Sequence, residues 1–320
     1  MGARGGVVAV HAHPDDETLT SGALLAAAVA AGLPATVVTC TRGERGEVIG
    51  PLHDTLEGDG EALARHRETE IAAAMRALGG VGQSFLDTLP GTDDRYADSG
   101  MAWVEGHARA GAAADLPPHA LVGADPERAA RALADFLADR RPELVITYEP
   151  GGGYGHPDHV RTHRITRRAI DLLGADAPAL AWAVADAADL RAAARALAAD
   201  PVVAGLVAAH SAPVLAATRQ GPFTVPGPGD PLPAMARDRA GAGFAVPVAP
   251  VRAAVLAALT AHATQVQAVT PLDLPAAVGC YALSNGALAA LLPTERYEWA
   301  DPERTTGMVT AVAAQSDAVA

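Results

Sequence analysis

Two short stretches hold most of the clustered ionisable side chains in this 320-residue chain. The first, HAHPDDE at residues 11–17, sets His13 and Asp16 three positions apart, and the second, YGHPDH at 154–159, ends in His159. Two imidazoles and one carboxylate suit Zn2+ at a catalytic site, where three protein ligands leave the fourth position to water. Pro14 favours a local turn that lets His13 and Asp16 converge on one ion. A single zinc bound there would bring the pKa of a water in the open position to about 7, and the same donors also accept Fe2+. The bland alternative is a pair of solvated loops that hold no ion.

Neighbouring residues extend the chemistry. Asp15 is a second carboxylate beside the ligands, able to take a proton from water and return it to a leaving amine; its other role would be to cap the next helix or to orient His13. Tyr154 and His156 sit on a glycine-rich segment, and either can hydrogen-bond a developing oxyanion, although a structural role for Tyr154 is equally open. Asp158 is placed to hold His156 in orientation or to keep it protonated. Glu47, in RGERGEV, could meet substrate hydroxyls or simply be solvated. His11 reads as a buried neighbour of His13 rather than a fourth ligand, while Glu17 and His262 have no legible task.

The elements that must position these residues follow from periodicity. Gly5 to Val10 is short and β-branched, and Ser21 opens SGALLAAAVAAG, with Leu24, Leu25, Ala28 and Val29 on one face and Gly32 as a stop. ATVVTCT, residues 35–41, supplies the next strand and completes a βαβ unit. A helix is predicted over 60–80, with Arg67 on the same stripe as Leu63, Ile71, Ala74, Met75 and Leu78, and a long loop over 85–103. Asp125 and Pro126 then start a helix, PELVITY forms a strand, and VRTHRITRRAIDLLG continues as a helix. Both clusters therefore follow the carboxyl ends of strands, where open α/β sheets bind ligands. The first βα turn carries imidazole and carboxylate in place of the GxGxxG of a nucleotide site. Signals weaken after about residue 174. The expectation is one α/β domain over 1–320: a Rossmann-like, mostly parallel sheet with flanking helices over 1–175, and a less regular C-terminal portion, 176–320, walling the cleft.

Composition narrows the partners. Aromatics are only 4% of the chain, so the core is expected to be Ala, Val and Leu. The net charge of −13, from 24 basic and 37 acidic residues, argues against nucleic acid. Cys40 and Cys280 form no CxxC pair, and no apolar run reaches the roughly 18 residues of a membrane helix. The chain reads as a soluble, cytoplasmic protein that acts on a small molecule, with no membrane partner and an oligomeric state the sequence does not give.

AHPDDE with GHPDH downstream resembles the LmbE-like (PIG-L-type) family of zinc-dependent N-deacetylases. TCTRGERGEVIG, RALG, DSGM, HATQ and LSNG resemble the branch of it that removes the N-acetyl group of GlcNAc-inositol in mycothiol biosynthesis. The resemblance implies His13, Asp16 and His159 as zinc ligands, Asp15 as general base and acid, His156 and Tyr154 at the oxyanion, and Asp158 as the partner of His156. It adds Arg67 as a sugar- or inositol-binding arginine, Asp98 as an acidic residue near the substrate, and a glycoside as that substrate. The rivals are an amidase of mycothiol S-conjugates, a dinuclear phosphohydrolase needing more ligands than the sequence supplies, and a carbohydrate-binding protein with a remnant metal site.

Overall fold

The computed structural model of the protein describes residues 5–92, 95–104, 109–210, 222–227, 229–238 and 241–314. Strand β1 (Val7–His11), helix α1 (Asp16–Ala30) and strand β2 (Ala35–Thr39) form the predicted βαβ unit. After α2 (His53–Leu56) and α3 (Gly60–Ala77) come β3 (Gly82–Phe85) and the hairpin of β4 (Met101–Val104) and β5 (Arg109–Ala112). Helix α4 (Pro126–Arg140), β6 (Leu144–Tyr148), α5 (Pro157–Leu173) and β7 (Ala179–Asp186) complete the parallel part. Then follow α6 (Ala187–Ala199), α7 (Pro201–Ala209), β8 (Ala236–Arg237), β9 (Gly243–Pro247), α8 (Arg252–Ala261), β10 (Gln267–Leu274), β11 (Ala277–Ala282), β12 (Leu288–Leu291) and β13 (Thr294–Trp299).

The main sheet runs β3-β2-β1-β6-β7-β13-β9, with β8 beside β7. It is parallel from β3 to β7; β13 enters antiparallel between β7 and β9. Chain order reverses between β1 and β6, so the crevice beyond their carboxyl ends is the topological switch point. The sheet does not stop at residue 175, since β7, β9 and β13 extend it, while β10-β11-β12 form a separate antiparallel sheet.

The central strands β1, β2 and β6 are buried along their whole length and mostly apolar, because helices cover both faces. Val7, Ala9, Leu144 and Ile146 pack with Leu24, Leu25, Ile71, Val255 and Leu259 on one side. Val8, Val10 and Val145 pack with Leu133, Leu137 and Ile165 on the other. The aliphatic core expected from the scarcity of aromatics is the one observed. Among the described residues no single helix is long and apolar enough to cross a membrane.

Helix α1 starts five residues earlier than expected, and Ser21 marks a break rather than a beginning. Ser21 has φ −143° and ψ 15°, outside the helical region. Its hydroxyl donates to Glu17 O at 2.9 Å, and beyond it the amides of Ala23 and Leu24 donate to the Glu295 carboxylate at 2.7 and 2.9 Å. The chain thus has a separate first turn, residues 16–20, directly after the HPD sequence, and β13 caps the segment that follows.

Candidate active site

His13 and Asp16 leave the end of β1, and Tyr154, His156 and His159 follow β6, so the two clusters meet across neighbouring strands. His13 Nδ1 lies 3.3 Å from Asp16 Oδ2, His159 Nε2 lies 3.3 Å from the same oxygen, and the two nitrogens are 3.4 Å apart. Ligands at about 2.0–2.1 Å in a tetrahedral zinc site stand about 3.3–3.4 Å from one another, so the three atoms form one face of such a tetrahedron.

The proton positions also fit a cation. His13 Nε2 faces Asp158 Oδ2 at 3.3 Å and Asp98 Oδ1 at 3.6 Å, and His159 Nδ1 faces Gly152 O at 3.1 Å. With those nitrogens donating, His13 Nδ1 and His159 Nε2 are left as lone pairs aimed at each other and at a carboxylate. Metal-binding histidines ordinarily donate their second N–H to such an oxygen. Burial raises the Asp16 carboxyl, but when no ion is bound, positive charge and hydrogen bonds from His159 and His13 outweigh it and hold it well below the usual range, the stabilisation a cation would supply in their place. A wider set, one nitrogen each from His13, His156 and His159, falls within 4.8 Å. His156 Nδ1 already accepts from Asp158 N at 3.1 Å, so His156 flanks the triangle and does not belong to it.

Asp15 adopts φ 121° and ψ −35°. This non-glycine conformation costs about 1–3 kcal/mol and persists where surroundings over-determine it. As the residue before α1 it makes no side-chain cap; its amide donates to Glu17 Oε2 at 3.0 Å, and its carbonyl accepts from Thr18 and Leu19. Burial pushes its carboxyl up to about 7 against the pull of Arg67.

Arg67 is 2% exposed and faces the turn rather than open cleft. Its guanidinium donates to Gly43 O at 2.8 Å, to Pro14 O, and to Asp15 Oδ2 at 3.2 Å. This differs from the expected sugar contact, and also from an arginine snorkelling to solvent. Gly43 makes the room: at φ +66° its missing Cβ would lie 2.0 Å from Arg67 Nη1.

The Asp158 expectation is corrected. At the first turn of α5 its carboxylate turns inward, accepting from Ser99 N at 2.8 Å and Ser99 Oγ at 2.5 Å as well as facing His13. What His156 receives is the Asp158 backbone amide, one of the unpaired donors at a helix start. Burial, with His13 and His159 nearby, pulls the His156 pKa well down, so the ring is neutral with its proton on Nε2.

Tyr154 packs edge-on to His159, centroids 5.0 Å apart, and burial raises its hydroxyl pKa. Asp98 is buried beside His13 and accepts from Gly100 N at 2.8 Å and Arg45 N at 3.2 Å. Glu47 is exposed, and its carbonyl accepts from Gln265 Nε2 at 3.4 Å. His11 is buried against Ser21 Oγ at 2.9 Å, and burial lowers its pKa to about 4.

Several residues escaped the sequence reading. Tyr148 donates to Asp16 Oδ2 at 2.7 Å, but a tyrosine closing an apolar strand reads as core. Glu149 folds the glycine loop by accepting from Gly151 N at 2.7 Å and Gly153 N at 2.9 Å, and Arg237 on β8 pairs with it at 3.3 Å. The signal available was an acidic residue separated from three consecutive glycines only by Pro150. Glu17 meets His262 Nε2 at 2.8 Å, a pairing across 245 residues that no local pattern announces.

The sequence profile of the family described as PIG-L, GlcNAc-PI de-N-acetylase, matches residues 8–170, the span holding every residue of both clusters. The chain belongs to the PIG-L family. It is 41% identical over 300 residues to the 1D-myo-inositol 2-acetamido-2-deoxy-alpha-D-glucopyranoside deacetylase of Kineococcus radiotolerans, covering 91% of this chain and 76% of that protein. The protein of the same name from Nocardia farcinica is 41% identical over 299 residues, covering 92% and 90%. A deacetylase–teicoplanin complex aligns over 92% of this chain and 98% of its own at 19% identity, with a TM-score of 0.48. As a PIG-L member the chain is an amide hydrolase of the deacetylase type, in keeping with the motif resemblance.

Proposed function

We propose that this PIG-L protein is a zinc-dependent deacetylase that converts GlcNAc-inositol to glucosaminyl-inositol and acetate, as the names of its relatives suggest. The observation that carries the metal-dependent reading is the triangle of His13 Nδ1, Asp16 Oδ2 and His159 Nε2, whose 3.3–3.4 Å edges match a tetrahedral face. Zinc held there would act as a Lewis acid on the acetyl carbonyl and make water nucleophilic at neutral pH.

The chain's own residues do the rest. Asp15, its carboxyl raised to about 7, takes a proton as water oxygen bonds to the acetyl carbon. His156 Nε2–H and the Tyr154 hydroxyl donate to the oxygen on which negative charge develops. Asp15 then returns its proton to the sugar nitrogen, the C–N bond breaks, and acetate and the amine leave. Asp98, buried beside His13, is the acidic group nearest the point where sugar hydroxyls would be met.

The test is release of primary amine from GlcNAc-inositol and from a mycothiol S-conjugate, assayed side by side on zinc-loaded protein and on Asp15→Asn. The proposal expects the acetylated glycoside to be preferred in kcat/KM, and Asp15→Asn to keep its metal while losing at least about 10²-fold in kcat. A large preference for the conjugate overturns the substrate; unchanged turnover in Asp15→Asn overturns the mechanism.

A further inference from the structure

Glu17 and His262 are both fully buried, in contact with each other, and unused by the mechanism above. Glu17 Oε2 accepts from the amide of Asp15 at 3.0 Å, while Oε1 accepts from Thr18 Oγ1 at 2.7 Å and faces His262 Nε2 at 2.8 Å. The amide so held belongs to the residue with φ 121°, the conformation that sets where the Asp15 carboxylate points.

His262 is itself fixed. It directly follows α8, its amide donates to Leu259 O at 3.2 Å, and its carbonyl accepts from Gln265 N at 2.9 Å and Val266 N at 2.8 Å. Two residues on, Thr264 donates its amide and hydroxyl to Glu70 at 2.8 and 2.7 Å. Glu70 lies one turn along α3 from Arg67, which grips Pro14 O and the Asp15 carboxylate. The segment His262–Gln265 therefore meets both supports of Asp15, its amide through Glu17 and its carboxylate through α3. The two supports close a ring around one strained residue.

We propose that His262 is a positioning residue for the deacetylation: acting through Glu17, it holds the Asp15 backbone in the conformation that aims the carboxylate at the reacting water. The inference rests on Asp15 being the proton carrier, and the experiment separates the two. Misplacing a catalytic group by about 1 Å costs on the order of 10²-fold in rate. His262→Leu keeps the bulk and removes the donor; kcat is expected to fall about 10- to 100-fold, with KM within about threefold and bound zinc per chain unchanged. His262→Gln, which restores an N–H donor, recovers part of that loss.

The deciding arm is the combination with Asp15→Asn. Groups acting as one unit are non-additive, so in the Asp15→Asn background His262→Leu should change residual kcat by less than about twofold. Wild-type kcat in His262→Leu, or a full 10- to 100-fold loss added to that of Asp15→Asn, overturns the inference while leaving Asp15 as the base. Wild-type kcat in Asp15→Asn alone overturns the parent mechanism instead. Should the Leu variant not fold, His262→Asn, whose amide stops short of Glu17, replaces it with the same expectations.

Discussion

The ring of Tyr148 lies flat on that of His159, centroids 4.1 Å apart and planes 10° from parallel. The same residue donates its hydroxyl to Asp16 Oδ2 at 2.7 Å and accepts from Ala12 N at 2.8 Å. One side chain at the end of β6 thus orients one member of the donor triangle by stacking and another by hydrogen bonding. Outer partners of this kind are worth about 10- to 100-fold in metal affinity. Tyr148→Phe keeps the stack and drops the hydroxyl, so zinc affinity measured by chelator competition should weaken within that range. Unchanged affinity would mean that the turn orients Asp16 without help.

Arg67 offers a sharper contrast. A guanidinium that touched substrate would show itself in KM, whereas one that braces Pro14 and Asp15 shows itself in kcat. Arg67→Lys retains the charge but not the fork that reaches two carbonyls and a carboxylate. We expect kcat to drop at least about tenfold with KM within about threefold. Gly43→Ala should produce the same signature from the other side, since the new methyl would collide with the guanidinium, and should cost about 1–3 kcal/mol in denaturant unfolding. A rise in KM alone for Arg67→Lys would restore the sugar-contact reading.

Glu295 reaches across from β13 to cap the broken helix α1, taking the amides of Ala23 and Leu24 and the Tyr297 hydroxyl at 2.7 Å. Glu295→Ala leaves those donors unpaired in a largely apolar setting, a loss of about 1–3 kcal/mol. Equilibrium unfolding in urea should report it as a lower midpoint at constant slope. A midpoint equal to that of the parent chain would show that water replaces the cap.

Burial pushes the Cys40 thiol up to about 12 and the Cys280 thiol up to about 11. Thiolate is the reactive form, so Ellman's reagent at pH 8 should label neither cysteine in the folded chain and both in denaturant. The folded state binds these protons more tightly than the unfolded state, whose thiols titrate near 9. Their stabilising contribution is therefore complete below about pH 9 and declines as pH rises from there towards 11 and 12. Rapid labelling of the native protein, or a thermal midpoint that climbs between pH 9 and 11, would contradict this.

The part of the fold built from local rules was legible. β1, α4 and β6 declare themselves through β-branched runs, the Asp125–Pro126 start and helical spacing, and their order alone brings His13 and His159 to one crevice. Past residue 174 the alanine-rich text carries little periodicity, and what makes β9 and β13 strands is the sheet edge they join, which no short window contains. The same divide runs through the site. Residue type sufficed to single out His13, Asp16 and His159, which the structure brings within 3.4 Å of one another, because few side chains can hold a metal. It did not suffice for Arg67 or Asp158, where the question was which way a side chain turns. That was decided by a glycine 24 positions away in one case and by Ser99 in the other.

The cap from Glu295, the Arg237–Glu149 pair and the His262–Glu17 pair have one origin: each is supplied from outside residues 8–170. The groups that would meet the substrate are encoded in the first half of the chain, and much of what keeps them still is encoded in the second. A change in the second half can then retune pace while the bond being broken stays the same. Drift in the later sequence offers a lineage a way to adjust throughput without risking the reaction.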